Sequence, residues 1–397
     1  MEAYLLDWAN LLVRWVHLIA GIAWIGASFY FVMLDNSLKA PKKPEDARRG
    51  VFGELWAVHG GGFYHSQKYL TGPKGEPLTQ DLHWSKWEAY STWLSGMGMM
   101  ALIYWIGASS YLIDSSVMAL SPAAAIAISI AFLVVGWLFY DLLCRNMIGK
   151  DTLLAAIVFV FVMIANYVLH QVFSARGAYI HVGAMLGTMM AANVFFHIIP
   201  GQKKMVEQIR KGEPVDTMPG IVGKQRSVHN TYFTLPVLFI MISNHYPMTY
   251  AHANGWLVLG VLMMAGVLIR QFFVLRHRGQ VKWWLPAAGS ALILLLIVLM
   301  APKPVDASGD KVSFATVKQI LDQRCVSCHA AAPTFDGFAQ PPKGVMLENA
   351  EQIAQHAVMS AQTVASGYMP LGNLTGITDE ERQTIAIWFA QGARTQD

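Results

Sequence analysis

The chain has 397 residues, 54% of them hydrophobic and only 14% charged, with a mean hydropathy of +0.38. Soluble domains carry about a quarter charged residues, so a wholly water-soluble protein is excluded, and three cysteines exclude a disulfide scaffold. The formal charge of +4 gives no support for a nucleic-acid partner; its meaning lies in where the lysines and arginines fall along a membrane chain.

Eight near-continuous apolar segments follow one another: 11–34, 88–110, 117–142, 152–172, 178–199, 229–244, 254–275 and 283–301. Most approach the ~20 residues that a helix needs to cross a hydrocarbon core of about 30 Å. The sixth is diluted by Asn230, Thr231, Thr234 and Pro236, which a bundle tolerates where neighbouring helices satisfy them. An all-α fold is expected, with eight transmembrane helices over 1–301. Within it, the stretch 35–87, rich in Gly, Pro and aromatics, reads as an ordered cytoplasmic hairpin or lid. The loops after the first, third, fifth and seventh segments hold nineteen Lys and Arg residues; the first ten residues and the remaining loops hold only Arg176. Short loops rich in Lys and Arg stay in the cytoplasm, so both termini are expected on the periplasmic side of a bacterial inner membrane. Glu2 and Asp7 precede the first span, where a secretory signal would carry positive charge.

Residues 302–309 (PKPVDASG) read as a linker, and 310–397 as a small soluble domain. Cys325-Val326-Ser327-Cys328-His329 is C-x-x-C-H, the c-type haem attachment signal. Two thiols bond to the porphyrin edge, which brings the adjacent His329 beneath the iron. About forty residues on, Tyr368-Met369-Pro370 offers Met369 as the thioether ligand that raises the potential, with His356 the competing distal ligand. Thr378 to Gln391 carries an N-cap threonine, acidic first-turn residues and apolar positions at helical spacing, as a closing helix does. From Pro302 onward the chain resembles a class I cytochrome c, an all-α domain with one covalent haem c. Attachment of such a haem outside the plasma membrane agrees with the orientation read from loop charge.

Ionisable residues inside a bundle are costly and point to function. His181 and His197 are 16 residues apart, roughly 24 Å of helix, and so are His229 and His245 on the next span, which runs the opposite way. That spacing sets His181 level with His245 on the outer side and His197 level with His229 on the inner side. His17 and His170 form a further outer set, with Arg14 one turn from His17 and able to pair a haem propionate. His17, His170, His181, His197 and His245, with Arg14, are therefore candidates to hold one or two b-type haems. Cys144 reads as a small packing residue.

The segments LWAVHGGGFYHSQKY (55–69), LHWSKWEAYSTWLSG (82–96) and RSVHNTYFTLPVLFIMISNHY (226–246), with the terminal C-x-x-C-H domain, resemble the membrane-bound, cytochrome c-linked urate oxidases of bacteria. The resemblance implies oxidation of urate to 5-hydroxyisourate in purine breakdown. Electrons would go through the bundle to haem c and on to an external cytochrome c or terminal oxidase, without hydrogen peroxide. Urate is a planar anion, so a site needs a cation, partners for its edges and an aromatic wall, with a base to help water attack. His59, Glu88, Arg226, His229, Asn230 and Arg270 supply such groups at the cytoplasmic end, where urate is expected to bind; a site near the outer haem is the rival. The Gly60-Gly61-Gly62 run is read as a turn, because no phosphate-loop motif follows. Three other readings remain open. These are a quinol or other small-molecule dehydrogenase feeding haem c, a membrane porphyrin oxidase, and a transporter with a histidine proton relay. Oligomeric state is not legible in the sequence.

Overall fold

The computed structural model describes residues 1–277, 279–301, 305–335 and 338–396. Arg278 of the last basic loop, Pro302 to Pro304 of the predicted linker and Asp397 lie outside the described residues, as does the side chain of Glu2. The chain is mostly helical, at 67%. Each predicted apolar segment falls on a helix: α1 (Glu2–Ser37), α3 (Trp87–Met99, prolonged by π-helical turns Met100–Trp105 and Ala108–Leu112), α4 (Pro122–Asn146), α5 (Asp151–His170), α6 (Ala175–Ala192), α8 (Met218–Ser243), α10 (Gly255–His277) and α11 (Trp284–Leu299). A π-helical segment, Asn193–Ile198, joins α6 to α7 (Ile199–Lys211), and α9 (Pro247–Tyr250) is a single turn.

Five helical stretches are long and apolar enough to cross a membrane: Tyr4–Ser37, Pro122–Asn146, Asp151–His170, Ala175–Lys211 and Gly255–Arg276. Their outer faces expose Trp15, Ile19, Ile22, Val135, Leu138, Val160 and Ile164, an apolar belt that suits lipid and not water. The Trp284–Leu299 helix is apolar but shorter.

Helix starts follow from local chemistry. Ser121 caps α4 by accepting from the Ala124 amide, with Pro122 in the first turn. Ser174 caps α6 through the Gly177 amide while its hydroxyl donates to the Tyr111 carbonyl. At the far end, Gly212 closes α7 at φ 68°, a left-handed residue that ends helices cheaply only as glycine.

α6 runs through the centre, packed against α3, α4, α5 and α8. Its buried Val182, Met185, Leu186 and Met189 pack with Leu133 and Tyr140 of α4, Leu154 and Val158 of α5 and Ile240 of α8. Gly183 permits the closest approach: a Cβ there would lie 2.7 Å from Ile240 Cγ2. Gly183→Ala is therefore expected to lower stability by about 1–3 kcal/mol. Gly187→Ala, one turn on with nothing within 4 Å of the added methyl, is expected to be neutral or mildly stabilising. Thermal melting of both variants in detergent checks the pair.

The expectation of an all-α fold needs correction. Within 35–87, after the short α2 (Pro44–Arg48), β1 (Val51–His59) pairs antiparallel with β2 (Gly62–Tyr69), His59 opposite Gly62 and Trp56 opposite His65. The cause is local: Val51 and Gly53 are buried, Phe52 is exposed, and Gly60 and Gly61, at φ 59° and 80°, supply the two positive-φ residues of a tight hairpin turn. Glu54 fixes it by accepting from the Lys42 amide at 3.0 Å and His65 Nε2 at 2.8 Å, while His65 stacks on Trp56. The hairpin region packs near α7, where a Cβ on Gly72 would lie 2.9 Å from Ile209.

After the bundle, α12 (Phe314–Arg324), α13 (Ala350–Ala365) and α14 (Asp379–Ala390) surround a separate core of Val317, Leu321, Cys325, Leu347, Ile353, Val364, Ile385 and Trp388. Capping boxes start α13 at Asn349 and α14 at Thr378. The loop between α13 and α14 docks on the bundle. Tyr368 packs against the bundle core, and a Cβ on Gly367 would lie 3.1 Å from Ala251 Cβ. One on Gly372 would lie 3.5 Å from the Ile113 carbonyl. This is the end of the bundle formed by 110–121, 171–175 and 244–254, opposite the end that carries α7 and the hairpin.

Candidate functional site

Toward the α7 end, α4, the π-helical segment and α8 enclose a buried polar network. Its centre is Asp141 on α4. Asp141 Oδ1 accepts from Arg226 Nη2 at 2.7 Å and from His197 Nε2 at 2.6 Å, and Oδ2 accepts from Arg145 Nε at 2.7 Å. Arg226 is 1% exposed; its Nη1 donates to Asn193 Oδ1 at 3.1 Å, and the guanidinium lies 5.2 Å over the Tyr140 ring. Asn193 Nδ2 donates to Asn230 Oδ1 at 2.9 Å and to the Tyr140 hydroxyl oxygen at 3.0 Å. Tyr140 in turn bonds His229 Nδ1 at 2.8 Å, with Cys144 Sγ 3.7 Å from the same nitrogen.

Asn193 and His197 serve one network because residues four apart share a helix face, turned here toward α4 and α8. The network thus gathers the predicted Arg226, His229, Asn230 and His197. It also includes Tyr140, Asp141, Cys144 and Asn193, which are not among the residues expected from the sequence. For Asp141 a signal was present, a carboxylate inside an otherwise apolar segment. Asn193 carried a weaker signal of the same kind, a polar amide inside the apolar segment 178–199.

The other predicted site residues lie apart from this network. His59 is exposed at the hairpin tip, and Glu88 is half-buried in the first turn of α3. Arg270 on α10 is 7% exposed, and no ion pair or hydrogen bond joins it to the network among the described residues.

Of the candidate b-haem ligands, His181 is fully engaged. Its Nδ1 donates to the Gly177 carbonyl at 2.7 Å and its Nε2 accepts from Ser129 at 2.7 Å; Ser129 in turn accepts from Trp105 Nε1. His245 is exposed beyond the end of α8 and is not brought to His181 by any contact among the described residues. His197 is held by Asp141. Two histidines keep an open Nε2. His17 bonds the Thr92 carbonyl through Nδ1 at 3.0 Å, and His170 bonds the Asn166 carbonyl through Nδ1 at 2.8 Å, with its Nε2 buried and unpartnered. An Nδ1–H fixed on a backbone carbonyl is the tautomer that presents Nε2 to a metal. A Cβ on Gly255 would lie 3.4 Å from His170 Nε2 and 2.6 Å from the Tyr250 carbonyl oxygen, so the backbone packs closely over that nitrogen. Arg14 is exposed, one turn from His17, and bonds Asn10.

The C-terminal donors fit a thioether-linked haem. Cys325 and Cys328 are free thiols, Cys325 buried and Cys328 half-buried, and burial pushes the Cys325 thiol up to about 12. His329 Nδ1 bonds the Val345 carbonyl at 3.0 Å, again leaving Nε2 for a metal. Met369 packs against the core that holds Cys325. Arg382 Nη1 donates to the Val364 and Met369 carbonyls at 2.6 and 2.8 Å and so ties the methionine loop to α14. Arg324 meets Glu381 through Nε and Nη2, each 3.1 Å from a carboxylate oxygen, and joins α12 to α14.

The profile of the family described as urate oxidase, N-terminal, matches residues 3–301. The chain belongs to that family. The match spans α1 to α11, including the Asp141 network, and ends before the Cys325–His329 domain. Membership makes this an oxidoreductase-type chain whose coarse activity is urate oxidation. No curated protein and no solved structure matches the chain.

Proposed function

We propose that this family member is a membrane-bound urate oxidase that sends its electrons to a haem c held by Cys325, Cys328, His329 and Met369. The product is 5-hydroxyisourate, and an external cytochrome c or terminal oxidase drains the haem without forming hydrogen peroxide. One observation carries the reading. The domain with the attachment motif rests, through the loop bearing Met369, on the bundle end opposite the buried polar network. A chain that oxidises a cytoplasmic purine and discharges electrons outside needs that separation.

All eight apolar helices are taken to span, with the lysine-rich connections and the hairpin in the cytoplasm and both termini in the periplasm. A basic groove at the α7 end, lined by Trp84, Lys203, Arg210 and Lys211 with Glu207, draws anions toward the inner face. In the network, Asp141 neutralises Arg226 and orients His197, and the Asp141–His197 pair takes up a proton when water adds to the oxidised ring. Tyr140, aligned by Asn193, fixes the tautomer of His229. A haem bound to this chain would supply one-electron redox chemistry. His329 and Met369 are the residues that would hold it in the C-terminal domain, and His17 and His170 are those free to hold a b-type haem in the outer half of the bundle.

Turnover in inverted membrane vesicles tests the reading. With soluble cytochrome c supplied on the haem-domain side, urate consumption is expected to reduce it, two equivalents per urate, with no peroxide. Peroxide formed in step with urate loss, and cytochrome unchanged, would contradict the proposal.

A further inference from the structure

Among the described residues no carboxylate pairs with Arg270. It is 7% exposed, its guanidinium stands 5.4 Å over the Phe29 ring of α1, and both Nε and Nη2 are buried without a hydrogen-bond partner. Those two N–H groups form one edge of the guanidinium, the edge that takes a planar two-acceptor group side-on. Among the described residues no counter-charge is at hand. α10 packs against α1, α5, α6, α8, α9 and α11; α6, α8, α9, α10 and α11 contain no Asp or Glu, and Asp7 of α1 lies 22 residues before Phe29, near the start of that helix. Asp35 of α1 is paired with Lys68 at 2.6 Å, and Asp151 of α5 bonds Gln225. A buried, unpaired guanidinium in an apolar bundle is unfavourable, so its retention points to an anion that arrives from outside the chain.

Arg226 differs in its charge. Asp141 cancels it and Asn193 takes Nη1, which leaves only the Arg226 Nε without a partner. The neighbour of Arg270, Gln271, accepts from the Tyr232 hydroxyl of α8, which fixes the α8–α10 register there.

We propose that Arg270 binds the anionic edge of the purine through Nε and Nη2, with Phe29 beside it, and that Arg270 and not Arg226 is the charge partner of the substrate. Urate as its monoanion offers a carbonyl oxygen next to a deprotonated ring nitrogen, an acceptor pair spaced much like a carboxylate. The inference rests on the urate reading of the bundle and adds which residue recognises the charge.

The test uses the full chain in detergent, reduced with dithionite so that bound urate cannot turn over. Binding of radiolabelled urate, melting temperature with and without urate, and the pyridine haemochrome spectrum are measured for wild type, Arg270→Gln and Arg270→Lys. Arg270→Gln is expected to weaken urate binding at least about tenfold and to abolish the rise in melting temperature that urate gives wild type. Arg270→Lys should fall between them, because an ammonium lacks the two-donor edge. Without urate, Arg270→Gln should melt at or above the wild-type temperature, since it removes an unpaired charge. Unchanged urate binding in Arg270→Gln would overturn the proposal. So would loss of haem together with a lower urate-free melting temperature, which would assign Arg270 to a haem carboxylate instead. A wild-type chain that binds no urate would sink the underlying urate reading as well.

Discussion

Replacing Cys325 and Cys328 together by alanine is expected to abolish covalent haem and to bring urate-driven cytochrome reduction down to background, while the bundle still inserts. The two effects separate because the chain has two cores. Cys325 packs among Val317, Leu321 and Val364 in the C-terminal domain, and no residue of that set enters the cluster built on α4, α5 and α6. Without the proposed haem the small domain would lack a large apolar contact, and α12 and α14 would be held by the Val317, Leu321, Ile385 and Trp388 core and the Arg324–Glu381 pair. The domain is then expected to be cut by protease near 305–313 while 1–301 stays protected. Haem staining after denaturing electrophoresis and cytochrome reduction in vesicles give the two readouts. Undiminished turnover in the double variant would remove the C-terminal domain from the electron path.

Asp141→Asn should be the most damaging single change in the bundle. It leaves Arg226, 1% exposed, without its anion and His197 without its acceptor. Removing one member of a buried pair costs about 3–5 kcal/mol. Displacing Asn193, Tyr140 and His229 by even about 1 Å is expected to lower turnover by about 10²-fold. The double variant Asp141→Asn/Arg226→Gln restores a neutral, hydrogen-bonded pair, so it is expected to recover much of the melting temperature but none of the turnover. That split between stability and activity distinguishes a working network from mere packing. Equal recovery of both would assign Asp141 and Arg226 to structure alone.

Much of the architecture was legible because lipid leaves a chain few options. Backbone groups in an apolar medium must bond within the segment, so long apolar runs can be read directly as helices, and each of the eight predicted segments lies on one. The closing helix after Thr378 was legible for a different reason, since a capping box is written in four consecutive residues. The hairpin was only half legible. Its ordered character and the glycine turn could be read, but short strands interrupted by glycine do not stand out from loop when pairing partners are weighed one at a time.

At the site, the histidines were visible and their partners were not. By sequence His181 is one outer-side histidine among His17, His170 and His245, yet Ser129, 52 residues away, fills its second nitrogen. His245 had looked level with it, yet α8 ends at Ser243 and leaves that ring outside. Arg226 and Arg270 were indistinguishable as isolated cations in the sequence. Only the fold shows that one is neutralised by Asp141 and that the other keeps a bare edge.

The most direct measurement is a pyridine haemochrome spectrum of the purified full-length chain, followed by anaerobic addition of urate to the oxidised protein. The account predicts one covalently held c-type haem, at least one extractable b-type haem, and reduction of the c-type band by urate without oxygen. A chain without covalent haem, or one whose oxidised spectrum is untouched by urate, would contradict it.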